Sequence, residues 1–220
     1  MRLFHLWNGS QISHKSDAEW SDGKYGWFME GFTDYYSGAT LYREGILDGP
    51  GFAAFLNRLI VDYAQNGESL RSTTEDLGSQ RWRDRDHQRL PYTKGALLGL
   101  LMDLQLRKNG RTLDDYMRAM LRKPDYDMSD LRGAWLALAG EPGDAKVVAV
   151  ESGSSAEKAG IRIGDSLRSF SVYHGDTSKE AKFGLLRGSG RVDVAYLPVT
   201  TRTVVQVTGG LDALRSLGGI

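Results

Sequence analysis

Trp27-Phe28-Met29-Glu30-Gly31-Phe32-Thr33-Asp34-Tyr35-Tyr36 is the stretch from which the rest of the chain is read. Helical spacing puts Glu30 and Asp34 on one face, with Trp27 one turn before Glu30. A carboxylate ringed by aromatic side chains has to be ionised and paired, protonated, or bound to a metal, because an isolated buried charge is too costly. The plainer reading is an amphipathic core helix whose acids reach solvent or a basic partner.

Working outward, this helix runs from about Lys24 to Arg43 and stops at Glu44-Gly45. Residues 1–8 read as the end of an apolar helix stopped by Asn8-Gly9, and residues 9–24 as a polar loop. Asp48-Gly49-Pro50-Gly51 signals a turn, after which Phe52, Phe55, Leu59 and Tyr63 fall at helical spacing up to Gln65. Residues 67–90 show no period and read as a long loop, a kind of segment that often carries function. Within it, Arg81-Trp82-Arg83-Asp84-Arg85-Asp86-His87 alternates in sign. It reads either as a solvated loop with local ion pairs or as a rim that contacts substrate. Tyr92-Thr93-Lys94-Gly95-Ala96 opens a helix that is apolar all round after Lys94, predicted to be central, buried and ended by Asn109-Gly110. Thr112 caps a helix bearing Leu113, Tyr116, Met117 and Met120; Ser129 caps another bearing Leu131, Trp135 and Leu138, closed by Gly140. Residues 1–140 are therefore predicted to be all-helical.

At Glu141-Pro142-Gly143-Asp144 the composition changes, and a domain boundary is placed at 140–145. Strands are predicted over 147–150, 167–173, 192–196 and 202–207, a helical turn over 154–160 and a helix over 177–187. The second domain spans 141–208, and 209–220 is a weakly helical tail. The fold class is thus multidomain, a helical domain followed by a small α+β one.

With 220 residues the chain is long enough for one large or two small cores. The formal net charge is zero, so no electrostatic argument favours nucleic acid or an anionic membrane as partner. Cysteine is absent, which excludes disulfides, thiol catalysis and Cys-based zinc sites. The longest apolar run, Ala96 to Met102, is too short to span a membrane. The N-terminus lacks the pattern of a signal peptide.

Three blocks line up in order and spacing. Phe4-His5-Leu6-Trp7-Asn8 is similar to the second half of a zinc-helix motif of the form His-Glu-x-x-His-Leu-Trp-Asn. Glu30-Gly31-Phe32-Thr33 resembles the block that supplies a third ligand, and Tyr92-Thr93-Lys94-Gly95-Ala96 a later Tyr-x-Lys-Gly-Ala block. Together they resemble the gluzincin zinc aminopeptidases, the bacterial glycyl aminopeptidase family in particular, with a thermolysin-like catalytic subdomain over 1–140. That family carries a C-terminal PDZ domain. Ser155-Ala156-Glu157-Lys158-Ala159-Gly160-Ile161-Arg162-Ile163-Gly164-Asp165-Ser166-Leu167 resembles the bacterial PDZ pattern. The likeness spans about residues 3–207; the family's N-terminal β-rich region has no counterpart here.

The resemblance implies a metallopeptidase site. A catalytic zinc takes three protein ligands and leaves one position open. By resemblance His5 is the second histidine of the motif and Glu30 the third ligand. Asp34 would orient a metal-bound histidine, and Tyr92 would stabilise the oxyanion. The sequence departs from the family where the first histidine and the general-base Glu belong, because Met1 and Arg2 stand there. A thioether is a poor zinc ligand and a guanidinium stays protonated. This chain is therefore expected to bind zinc weakly or not at all and not to hydrolyse peptides. A chain truncated within the motif is expected, with a natural degenerate homologue as the alternative. His14 is weighed as a substitute ligand against a surface histidine, while His87 and His174 read as structural or solvated.

The resemblance further implies removal of small N-terminal residues from peptides by the parent enzyme, peptide substrates or peptide termini as partners, and export from the cell. The glycine-hydrophobic carboxylate loop of a PDZ domain is not evident in residues 138–146. The second domain is thus either a module packed as structure or one that binds a peptide. A non-catalytic peptide-binding scaffold is the competing reading of the whole chain.

Overall fold

Acidic side chains set where the helices begin. In the computed structural model, which describes residues 2–15, 21–123, 125–140, 145–173 and 176–199 (backbone only at 2, 3, 21, 22 and 74–76), each long helix that follows a loop opens on one. Asp48 accepts the Gly51 amide at 2.7 Å and Asp84 the His87 amide at 3.0 Å. Asp115 accepts the Thr112 amide at 2.9 Å, and Asp127 accepts the amides of Ser129 and Asp130 at 2.8 and 3.1 Å. These oxygens satisfy amides that lack an intrahelical partner, and their charge suits the positive end of the helix dipole.

Two compact units follow, Met1–Gly140 and Glu141–Thr203. In the first, the described helices are α1 Arg2–His5, α2 Ser21–Gly26, a π-helical turn Trp27–Gly31, α3 Phe32–Arg43, α4 Gly49–Gln65, α5 Thr74–Gln80, α6 Arg85–Lys108, α7 Leu113–Leu121 and α8 Met128–Ala139. The core is aromatic: Phe28, Phe32, Tyr35, Tyr116 and Tyr126 are buried, and Phe28 meets Phe32 edge-on at 4.9 Å. Each such ring contributes about 1.5–3 kcal/mol by burial alone. Glycines let the backbones touch where helices cross. A Cβ on Gly31 would overlap the Gly95 backbone, one on Gly95 would overlap the Trp27 carbonyl, and one on Gly23 would meet Gly78. The π-helical turn is thereby seated directly on α6. No helix among the described residues is long and apolar enough to cross a membrane.

Several sequence expectations are corrected. The helix predicted over 24–43 is a run of three segments beginning at Ser21, with a π-helical turn inside it. Residues 67–90 are not a loop throughout. They contain α5 and the start of α6, because Asp84 acts as a cap where the alternating charges had read as ion pairs. Pro91 lies inside α6. Asp48-Gly49-Pro50-Gly51 is a helix start with Pro50 in its first turn, a place where the missing amide costs nothing. Asp127, not Ser129, caps α8. α6 is not buried all round, since Leu101 is 61% exposed.

The second unit holds α9 Ser155–Lys158 and an antiparallel meander of β1 Ser166–Ser171, β2 Ala181–Arg187 and β3 Gly190–Tyr196, in that spatial order. The helix predicted over 177–187 is overturned, because 181–187 is the central strand. Pairing on both sides outweighs local propensity there. Phe183 stacks on Tyr196 at 5.8 Å, and a side chain at Gly184 would collide with Ser169 Oγ. The strand predicted at 147–150 makes no ladder; its neighbour Lys146 forms a single bridge with Ser166, and Val148 is 85% exposed. Ile161, Leu185 and Val194 form a small core, and Asp165 accepts two hydrogen bonds from Arg187 at 2.8 Å. The strand predicted at 202–207 and the tail 209–220 lie outside the described residues.

Candidate metal centre

His5 ends α1, and its ring is oriented by the turn that follows. Its Nδ1 lies 3.2 Å from the Asn8 carbonyl oxygen, an acceptor, so Nδ1 carries the proton. That leaves Nε2 facing Glu30 Oε2 at 3.3 Å. Glu30 sits in the π-helical turn. Such a turn displaces carbonyls from the regular ladder, and buried carbonyls need donors. Asn8 supplies them: its fully buried side-chain amide donates to the carbonyls of Phe28 and Met29 at 3.0 and 3.1 Å. Thr33 Oγ1 donates to Met29 O at 2.6 Å. Asn8 therefore orients both halves of the pair, His5 through its own carbonyl and Glu30 through its side chain.

With Nδ1 protonated, a neutral His5 and an ionised Glu30 would meet as two acceptors, so a proton or a cation has to lie between them. The other carboxylate oxygen is held elsewhere. Arg81 Nη2 donates to Glu30 Oε1 at 3.4 Å. The Tyr92 hydroxyl, from α6, lies within electrostatic range of Glu30 and Arg81; burial first and the Glu30 charge second raise its pKa, so it stays protonated. Asp34, one turn on, also has a raised pKa, first from burial and then from the negative charge of Glu30. Burial lowers the pKa of Lys94, whose ammonium donates to the Ser72 carbonyl at 3.2 Å.

The structure thus brings His5, Glu30 and Tyr92 together and sets Asp34 within electrostatic range of Glu30 and His5. Position 1, the side chain of position 2, and His174 lie outside the described residues. His14 stacks on Tyr25 at 4.8 Å, and His87 is buried with Nδ1 2.8 Å from Asp84 Oδ1. Sequence reasoning gave no site role to Asn8, which had read as a helix stop and as the end of the zinc-helix block, nor to Arg81, which had been absorbed into a charge run. A polar residue beside Trp7 and an arginine beside Trp82 were the available signals.

A profile of the M61 glycyl aminopeptidases matches residues 2–98. Those residues belong to the M61 glycyl aminopeptidase family. The chain is also similar to a crystal structure of an aminopeptidase N family protein from Idiomarina loihiensis, at 17% identity and a TM-score of 0.47, over 97% of this chain and 53% of that one. It therefore spans about half the length of that protein. No curated protein matches the chain.

Whether zinc, the metal the resemblance implies, fits the M61 segment can be tested on distances. Two ligands at zinc bond lengths on a tetrahedron lie roughly 3.3–3.5 Å apart. The 3.3 Å between His5 Nε2 and Glu30 Oε2 meets that requirement. A structural or catalytic site needs at least one more protein ligand. Among the described residues no group of three His, Asp or Glu side chains is arranged to hold a metal ion. The M61 segment thus offers two corners of a tetrahedron and, on the remaining oxygen of Glu30, an arginine.

Proposed function

We propose that this chain carries the helical part of a zinc aminopeptidase site and is inactive as it stands. In this reading His5 and Glu30 are two of the three metal ligands, Asp34 orients a ligand histidine, and Tyr92 donates to the oxygen that becomes anionic when a peptide carbonyl is attacked. Zinc, when bound, would lower the pKa of the attacking water. The residues at positions 1 and 2 explain the inactivity: Met1 stands in place of the remaining histidine and Arg2 in place of the general base. The parent activity would be release of small N-terminal residues such as Gly or Ala. The carrying observation is the 3.3 Å approach of His5 Nε2 to Glu30 Oε2, with Tyr92 within electrostatic range of the same carboxylate.

The test is zinc content by elemental analysis after dialysis against zinc, with a Gly- or Ala-anilide assay. Zinc well below one per chain and no turnover are expected. Met1→His with Arg2→Glu, placed behind an added initiator methionine, should bring zinc close to one per chain. Stoichiometric zinc with turnover by the unchanged chain would refute inactivity, and no gain in the double variant would refute the ligand assignment.

A second reading, a non-catalytic module that binds peptide termini through a PDZ-like domain, draws support from the second unit. Residues 147–150 make no ladder, and Val147 and Val150 line a cavity of about 380 Å³ together with Ile161, Leu167, Leu185 and Tyr196. A segment outside any ladder, residues 148–150, beside an apolar pocket suits addition of a peptide strand. Binding of a fluorescent peptide library with free C-termini, lost when those termini are amidated, would support it. Equal binding of both libraries would sink it.

A further inference from the structure

The Glu30 carboxylate is only 19% exposed, and Arg81 beside it 14%. A carboxylate at that depth is costly without a positive partner. Arg81 reaches it from the turn between α5 and α6, 51 positions away in sequence. Its guanidinium lies over the Trp82 ring at 5.4 Å. It takes Oε1 and leaves Oε2 to His5, with the Tyr92 hydroxyl in electrostatic range of both partners.

We propose that Arg81 is the resident counter-ion of Glu30: its guanidinium neutralises the carboxylate, holds Oε1, turns Oε2 toward His5, and competes with a divalent cation for the same charge. The competition with metal rests on the ligand assignment proposed above; the counter-ion role does not. A fixed positive charge bonded to a ligand carboxylate draws away the electron density a cation would use, and it repels the cation directly. Arg81 therefore keeps this site folded without metal and weakens the site for metal.

The test uses the full chain with Arg81→Met, Arg81→Lys, Glu30→Gln and the Arg81→Met/Glu30→Gln double variant. In chelator-treated protein, Arg81→Met should lower Tm by about 3–6 °C, the range for loss of one charge-assisted bond in a domain of this size. Arg81→Lys should recover most of that loss. The double variant should melt above Arg81→Met, because the neutral amide that replaces the Glu30 carboxylate needs no counter-charge. Titration with zinc against a chromophoric chelator should show Arg81→Met binding about tenfold more tightly than the parent, the factor set by one charge-assisted bond. His5→Ala should abolish that gain. Additive Tm changes overturn the proposal, as does zinc affinity unchanged or weakened by Arg81→Met. If Arg81→Met does not fold, rescue by Glu30→Gln supports the proposal and failure of rescue overturns it. If His5→Ala leaves the zinc affinity of every variant untouched while the melting cycle stays non-additive, the counter-ion role is upheld and the competition with metal is overturned.

Discussion

The side-chain amide of Asn8 donates to the backbone carbonyl of Met29 at 3.1 Å, joining the end of α1 to the residue before Glu30. Because the same amide also holds Phe28 O, Asn8→Ala takes a donor from two carbonyls, of which Met29 O keeps Thr33 Oγ1. A loss of about 2–3 kcal/mol is expected from the desolvation cost of such groups. Asn8→Asp should be at least as damaging, since a carboxylate presents an acceptor to acceptors. Urea denaturation checks both.

Gly95→Ala should cost about 2–4 kcal/mol, because its new methyl would overlap the Trp27 carbonyl and push the π-helical turn off α6. Gly133→Ala serves as the comparison. It lies inside α8 with open space around it and should stabilise by about 0.5–1 kcal/mol. Thermal denaturation of both variants gives the answer; equal behaviour would contradict the backbone contact.

Asp103 is fully buried and accepts from the Tyr35 hydroxyl at 2.8 Å, the Leu113 amide at 2.8 Å and Arg107 at 3.2 Å. Its charge and its neighbour's are paired, so Asp103→Ala takes the carboxylate from Arg107 and the acceptor from the Tyr35 hydroxyl and the Leu113 amide. A loss of about 3–5 kcal/mol is expected. The Tyr35 hydroxyl is held well above its ordinary pKa by burial first and by Asp103 second. Absorbance at alkaline pH should therefore show Tyr35 silent until the chain unfolds.

In the second unit, hydrogen bonds from Arg187 hold the Asp165 carboxyl down at about 2. A depressed acid contributes stability above its unfolded pKa of about 3.9 and loses it as pH falls through the folded value. The contribution of this pair should therefore persist above about pH 4 and vanish progressively between pH 4 and about pH 2. Carboxyl-carbon NMR should place the Asp165 midpoint near the lower end. In Arg187→Gln the midpoint should climb toward the ordinary carboxylate range; an unmoved midpoint would rule the pairing out.

Much of the helical unit was legible because its signals are local. Asn109-Gly110 and Gly140 do end helices, Thr112 does cap one, and the Trp27–Tyr36 stretch is helical. What escaped depends on partners distant in sequence. α5 carries no apolar period of its own; its place is marked by buried Leu77 and by Gly78 meeting Gly23. The start of α6 was hidden because Asp84 sits among residues of alternating charge. Strand β2 reads as helix until β1 and β3 pair with it. At the site, His5, Glu30 and Tyr92 were visible as sequence blocks. The contact between Arg81 and Glu30 was not, because it joins a turn to a helix across 51 positions.

The π-helical turn sets the phase of everything after it. A regular helix advances about 100° per residue, and a π-turn inserts one residue's worth of rotation into the run. Removing one residue from Trp27–Gly31 would therefore swing the preceding part of the helix about 100° relative to α3 without unfolding either. Glu30 could no longer face His5 while Phe32 and Tyr35 kept their places in the core. The turn thus uncouples two demands that a uniform helix would lock together, where the aromatic rings point and where the carboxylate points.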